Sequence, residues 1–172
     1  MVLNNEVKVV PPKDVREGIL NIEAKMSAIP GATIGDSPEC PLTHTFVDGA
    51  YVREINMPKG MLISSKIHKV THPYFILKGE CSILTEEGVK RIKAPFYGVT
   101  KAGTKRILYT HEDTQWVTVH VTKETDLEKI EGEIIAKTFD DLPDSAIDTE
   151  AEITDFIEEV KKGEGNAETP TQ

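Results

Sequence analysis

Between His44 and Thr122 the apolar positions fall in short runs rich in β-branched and aromatic residues, and turn-forming groups cut these runs at regular intervals. The cuts are Asp48-Gly49, Pro58-Lys59-Gly60, Lys78-Gly79, Glu86-Glu87-Gly88, Ala102-Gly103 and Glu112-Asp113. This spacing predicts strands near 43–47, 50–56, 61–67, 72–78, 80–85, 89–93, 97–100, 105–110 and 115–122, the signature of an antiparallel sandwich or barrel. The turn EEGV marks the clearest hairpin, and VDGAYVRE reads as another, turning on Asp48-Gly49. In the second, Arg53 and Glu54 face opposite sides of their strand, so one site does not take both. In HEDTQWVTVHVT, Trp116, Thr118 and His120 fall on one face of a strand and Val117, Val119 and Val121 on the other. The valine face fits a sandwich interior or an interface; the other face is suited to lining a pocket or packing Trp116 in the core.

The flanks change period. Val15, Ile19, Ile22 and Met26 recur at helical spacing after Pro11-Pro12, with Asp14 placed to cap a helix running to about Ser27. Pro30-Gly31 ends it, and the Gly-, Pro- and Ser-rich segment that follows reads as a loop. Residues 1–42 thus form an amino-terminal arm before a β domain over 43–122. Leu127, Ile130, Ile134 and Ile135 predict a second helix over 123–138, capped by Thr125 or Asp126 and packed on the outside of the barrel. Residues 139–172 form an acidic tail, in which DTEAEITDFIEEVKK predicts a short helix and GEGNAETPTQ has no means of burying itself.

Charge changes this picture little. The net −9 is carried by the tail, where 11 acidic residues face only Lys161 and Lys162, while residues 1–138 balance 18 acids against 18 bases. Nucleic-acid binding is not expected, because no basic surface is concentrated on the body. The chain offers no apolar run of membrane-spanning length and no secretion signal at its start, which predicts a soluble, unexported protein. Cys40 and Cys81 are too few for a disulfide framework and read as reduced thiols. No glycine-rich phosphate loop or nucleophile elbow is present, so covalent catalysis has no sequence support.

The candidate chemistry lies in GMLISSKIHKVTHPYFILKGE. Gly60, Lys66, His68, His72 and Gly79 fall at the spacing of the first cupin motif, with Lys66 at the first histidine position and His72 at the glutamate position. Pro95, Lys101, Gly103 and Arg106 fall on a degraded second motif, with Arg106 at the position of the last ligand. The chain thus resembles the cupin superfamily. That resemblance implies an all-β fold, a double-stranded β-helix or jelly roll, with an amino-terminal helical arm and flanking carboxy-terminal helices.

Carried over residue by residue, the cupin ligand set becomes Lys66, His68, His72 and Arg106, two of them cations that lack a lone pair for a metal. The expectation is therefore a non-catalytic protein without a tightly held cofactor. A two-histidine site of His68 and His72 would take zinc, nickel, manganese or iron only weakly, with His111 and His120 as neighbours whose spacing demands nothing. Lys66, His68, His72, Arg106, Trp116 and His120 would instead line a pocket for a small anionic ligand. The structural alternative pairs Lys66 and Arg106 with Glu112, Asp113 or Glu54. The competing functional class is a metal-dependent cupin enzyme, a dioxygenase or a sugar isomerase or epimerase.

A narrower set of features is similar to small cupin-like proteins of tailed bacteriophages: VDGAYVREI, the Met-Pro-Lys-Gly turn, Lys-Ile-His, Ala-Pro-Phe, Gly-Thr-Lys-Arg and HEDTQWVTVHVT. This resemblance implies a viral origin, residence in the host cytoplasm or the virion, and either a structural or accessory role among phage virion proteins as partners or the binding of the small anionic ligand. The cupin resemblance also implies a homodimer or higher homo-oligomer, with the amino-terminal arm placed to reach a partner.

Overall fold

The computed structural model describes residues 12–33 and 36–142. The helix expected in DTEAEITDFIEEVKK and the disorder expected in GEGNAETPTQ lie outside the described residues. Ten strands follow one another as β1 (Leu42–Val47), β2 (Ala50–Met57), β3 (Leu62–Ser64), β4 (Ile67–His68), β5 (His72–Lys78), β6 (Glu80–Thr85), β7 (Gly88–Lys93), β8 (Phe96–Thr100), β9 (Ile107–Thr110) and β10 (Thr114–Val121). The turn signals thus fall where the chain reverses. The one expected strand that divides is 61–67, which breaks at Ser65-Lys66. There Ser65 donates its backbone N–H to the Arg106 carbonyl and accepts from the Arg106 N–H through its hydroxyl.

A five-stranded sheet runs β1-β2-β10-β5-β8, and a four-stranded sheet runs β3-β9-β6-β7. The order β2-β10-β5-β8 against β3-β9-β6-β7 is that of two Greek keys wound into a jelly roll. No ladder joins the two sheets among the described residues, so the expected barrel is an open two-sheet sandwich. The core between them takes Tyr74, Ile76 and Trp116 from one sheet and Cys81, Ile83, Ile92 and Leu108 from the other. Period-2 alternation along each strand produces this sorting.

Two turns fix how the sheets meet. Gly79 links β5 to β6 at φ 90°, where a Cβ would lie 2.3 Å from the Asp113 carbonyl oxygen, so only glycine fits. Gly103 holds φ 80° and donates its N–H to the His68 carbonyl at 2.8 Å, tying the loop before β9 to β4.

The first helix, α1 (Pro12–Ser27), begins two residues before the expected cap at Asp14, consistent with the preference for proline at a helix's first position. It buries Ile19 and bonds through Glu23 to the Ser64 hydroxyl and to the Lys105 ammonium, both at 2.8 Å. These contacts lay it along the outside of the four-stranded sheet.

The second helix, α2 (Leu127–Ile134), is capped by Asp126, whose carboxylate accepts from the Glu128 and Lys129 N–H groups. It is shorter than expected, because Ile135 and Ala136 form a strand, β11 (Ile135–Ala136), paired with β4. Ile135 therefore ends the helix rather than extending its stripe. Ile130 and Ile134 pack on Tyr51, which belongs to the inward-facing series of β2. The helix thus sits at the open end of the sandwich interior instead of flat on its outside. Among the described residues no helix is long and apolar enough to cross a membrane.

Candidate metal centre

Three strands converge at the end of the sandwich closed by α2. The alternation that turns Trp116 and Thr118 inward also turns His120 inward near the end of β10. Opposite His120 in the ladder stands Tyr51 of β2. On the other side of β10, His72 opens β5 and faces Thr100 across the ladder to β8. His68 closes the short strand β4, held in place by β11.

The three imidazoles meet. Ring centroids of His68 and His72 are 4.3 Å apart, those of His72 and His120 4.3 Å, and those of His68 and His120 5.4 Å. One ligating nitrogen from each lies within 4.8 Å of the other two. His72 Nδ1 lies 3.0 Å from the Val70 carbonyl, a bond that fixes its tautomer as Nδ1–H and leaves Nε2 with a lone pair. Among the described residues, His68 Nδ1 and both ring nitrogens of His120 are buried without any hydrogen-bond partner.

Burial and charge keep these rings neutral. Burial first, then neighbouring His72 and Arg53, lower His120 to about 4. Burial, the other two histidines, Arg106 and Arg53 lower His68 to about 2. His72 moves the same way through burial, opposed by its bond to the Val70 carbonyl. Three neutral imidazoles with unpartnered buried nitrogens are the donor set a divalent transition metal requires. The residues present therefore fit such an ion, and they outnumber the two ligands expected from the motif.

Arg106 is the second element of the site. It shares inward parity with Leu108 on the way into β9, and it is buried. Its guanidinium lies over the Tyr74 ring at 5.0 Å and the Trp116 ring at 5.5 Å, and it donates to the Thr100 hydroxyl. Among the described residues no carboxylate pairs with it, so the expected bridge to Glu112, Asp113 or Glu54 is not formed. Glu112 instead approaches Lys93, Asp113 accepts from the Lys59 N–H, and Glu54 accepts from Asn56.

Lys66 stands apart from the other expected pocket residues. Its ammonium is exposed and lies 2.6 Å from Glu131 of α2. The break at Ser65-Lys66 explains this. Ile63 packs on the core, so the alternation of β3 sends Lys66 outward; after the break Ile67 packs instead on Ala136 and Leu142, and His68, its neighbour in β4, turns in. The pocket expected from sequence thus assembles from His68, His72, His120, Arg106 and Trp116, without Lys66. His111 is elsewhere, on the Ser82 hydroxyl at 2.8 Å.

Several participants carried no sequence signal of their own. Tyr51 stacks on His120 at 6.0 Å, and its hydroxyl lies 2.7 Å from His44 Nδ1. Arg53 belongs to the same inward series of β2 and has Asp36 3.9 Å from its guanidinium. Once the DG hairpin is recognised, counting every second residue from Tyr51 finds Arg53. Thr100 becomes recognisable only from its register opposite His72. A separate cavity of about 380 Å³ lies between α1 and β3, bordered by Glu23, Cys40 and Ile63, away from the histidines.

Neither a protein-family model nor a curated protein matches this sequence. Among solved structures, the chain is similar to the cupin domain of Cnp3 from Schizosaccharomyces pombe, with 15% identity over 58% of this chain and 76% of that one, at a TM-score of 0.44. It is similar to KdgF from Halomonas sp., with 10% identity over 55% and 90% and a TM-score of 0.46. It is also similar to the ectoine synthase of P. lautus, with 18% identity over 58% and 75% and a TM-score of 0.45. The jelly-roll assignment stands on the strand order of the two sheets.

Proposed function

We propose that this chain is a cupin-type protein that holds a divalent transition metal on His68, His72 and His120 and takes a small anionic ligand beside it. The observation that carries this reading is the set of three neutral imidazoles, each offering a nitrogen within 4.8 Å of the others, with three of their buried nitrogens unpartnered. Leaving such atoms dry and unbonded is costly, and a metal would relieve the cost. Three protein ligands leave coordination positions free, as in sites that bind or transform a small molecule rather than in closed structural sites. The metal would supply Lewis acidity to whatever occupies those positions.

The protein's own groups favour an anion there. With no carboxylate among the three ligands, the metal charge is unopposed, and Arg106 adds a buried cation that has no acidic partner among the described residues. Arg106, oriented by Thr100 and packed on Tyr74 and Trp116, would hold a carboxylate or phosphate oxygen by charge-assisted hydrogen bonds. Dioxygenase or isomerase chemistry and simple sequestration would share these parts, so the reaction class follows from the ligand.

Elemental analysis of protein purified without an affinity tag tests the reading. About one metal per chain is expected, lost in His72→Ala and His120→Ala. A metal-free protein that also refuses added zinc, iron, manganese and nickel overturns it. A metal-free anion site is the second reading, favoured by the unpaired Arg106. There, carboxylates or phosphates would raise the melting temperature of chelator-treated protein and would fail to do so in Arg106→Ala. The phage origin and virion placement rest on the sequence resemblance alone, and mass spectrometry of purified particles tests them.

A further inference from the structure

Alternation along β2 turns Tyr51, Arg53 and Ile55 to the same side of the strand. Tyr51 stacks on His120 and Ile55 packs on the core, so Arg53, between them, also faces the interior. Opposite Arg53 in the ladder stands Thr118, which lies between Trp116 and His120 in the inward series of β10. Two inward arginines therefore approach the histidines from different sides. Arg106 enters from the segment before β9 and bonds to Thr100, which faces His72 across the β5–β8 ladder. Arg53 enters from β2, on the side of Tyr51 and His120.

The electrostatics of the rings agree with this placement. After burial, the largest cause in each case, the charge of Arg106 lowers His72 and that of Arg53 lowers His120, while both lower His68. The histidine cluster thus lies between two positive charges.

The two guanidinium groups differ in freedom. Arg106 is 9% exposed and is fixed by Thr100, Tyr74 and Trp116. The Arg53 side chain is 29% exposed, which puts it at the mouth of the site. Among the described residues the one carboxylate within 4.0 Å of it is Asp36, at 3.9 Å and itself 58% exposed. That separation is too long for a hydrogen bond, so the contact is one an incoming anion can replace.

We infer that the ligand of this site carries two anionic groups, one held by Arg106 in the depth of the sandwich and the other by Arg53 at its mouth, as in a short dicarboxylate. The inference rests on the anion site proposed above and names the class of ligand it takes. Each guanidinium presents a planar fork that matches a carboxylate, and a monoanion fills only one of them. The span is short: Trp116, under Arg106, and Thr118, opposite Arg53, stand two residues apart on one strand, about 7 Å. A ligand whose far end is neutral leaves Arg53 to Asp36 and gains nothing at the mouth.

Titration calorimetry of the full chain, as purified and at constant ionic strength, tests this. The probes are the unbranched dicarboxylates from malonate to adipate, each against the monocarboxylate of equal length. The proteins are the unaltered chain, Arg53→Gln, Asp36→Asn and, as a control that removes an exposed cation outside the site, Lys66→Gln. In the unaltered chain and in Lys66→Gln the best dicarboxylate is expected to bind at least about tenfold more tightly than its matching monocarboxylate, the scale of a hydrogen-bonded charge. In Arg53→Gln the preference is expected to vanish with monocarboxylate affinity and circular dichroism unchanged. Asp36→Asn is expected to keep or enlarge the preference, and a smaller one there counts against the inference. Equal affinity for the two series in the unaltered chain, or a preference that survives in Arg53→Gln, overturns the second anchor and leaves the Arg106 site standing. Binding of neither series overturns the anion site itself, and this inference with it.

Discussion

The rings of His72 and His120 stand 4.3 Å apart, centroid to centroid, although one opens β5 and the other lies near the end of β10. Their neutrality has a consequence for acid stability. Above about pH 6.5 these imidazoles are uncharged in the folded and the unfolded chain alike. Below it the unfolded chain takes up protons that the folded chain refuses, down to about pH 4 at His120 and about pH 2 at His68. Stability of the metal-free protein therefore falls as pH falls, by about 1.4 kcal/mol per pH unit for each histidine so held. Urea unfolding at pH 7.5, 6 and 5 checks this; a flat profile would show the rings protonated or exposed.

Lys66 and His120 are expected to separate cleanly on mutation. Lys66→Ala breaks only an exposed pair with Glu131, so it should change stability by no more than about 1 kcal/mol and leave metal content unchanged. His120→Ala should abolish metal binding. Parallel elemental analysis of the two proteins decides, and metal loss in Lys66→Ala would return that residue to the site.

Arg106→Ala removes a buried side chain that touches two aromatic rings and the Thr100 hydroxyl. The expected cost is about 2 kcal/mol or more, from lost packing and cation–π contact in a desolvated setting. Arg106→Lys should recover only part of it, since an ammonium lacks the planar, delocalised guanidinium that packs against aromatic rings. Full recovery in denaturant titrations would mean that charge alone matters there.

Gly79→Ala and Gly60→Ala share a positive φ but not a neighbourhood. At Gly60 a Cβ meets nothing within 4 Å, so the change should cost about 1 kcal/mol from backbone strain. At Gly79 the same atom would meet the Asp113 carbonyl and Thr114, and the loss should exceed that of Gly60→Ala by at least about 1 kcal/mol. Thermal melts of the pair test whether the β5–β6 turn is the more tightly built.

Asp126→Ala should cost about 1 kcal/mol by uncapping α2, whose carboxylate cap serves the Glu128 and Lys129 N–H groups. Because α2 closes the end of the sandwich over Tyr51, hydrogen exchange should quicken at Ile130 and Ile134 and at β11 before it quickens in the sheets.

Much of this protein is written locally. Alternation within runs, Asp48-Gly49 at a hairpin and glycines at reversals are short-range properties, so the nine expected strands lie close to the observed ones. Parity along HEDTQWVTVHVT separated Trp116 and His120 from the valines, because strand geometry obliges neighbours to face opposite ways. The sequence of motif positions from Gly60 to Gly79 likewise marked His68 and His72.

What tertiary structure alone decided depends on which strands meet. Nothing near His120 in the chain shows that β10 will lie between β2 and β5, and that placement turns two histidines into three. Lys66 and His68 parted because the break at Ser65-Lys66, fixed by hydrogen bonds to Arg106, reset the parity between β3 and β4. Ile135 fitted a helical stripe but was taken by β4, since pairing with His68 satisfied backbone groups that another turn of helix would have left facing it. Local pattern set the faces of each strand; the winding of the jelly roll set which faces share a site.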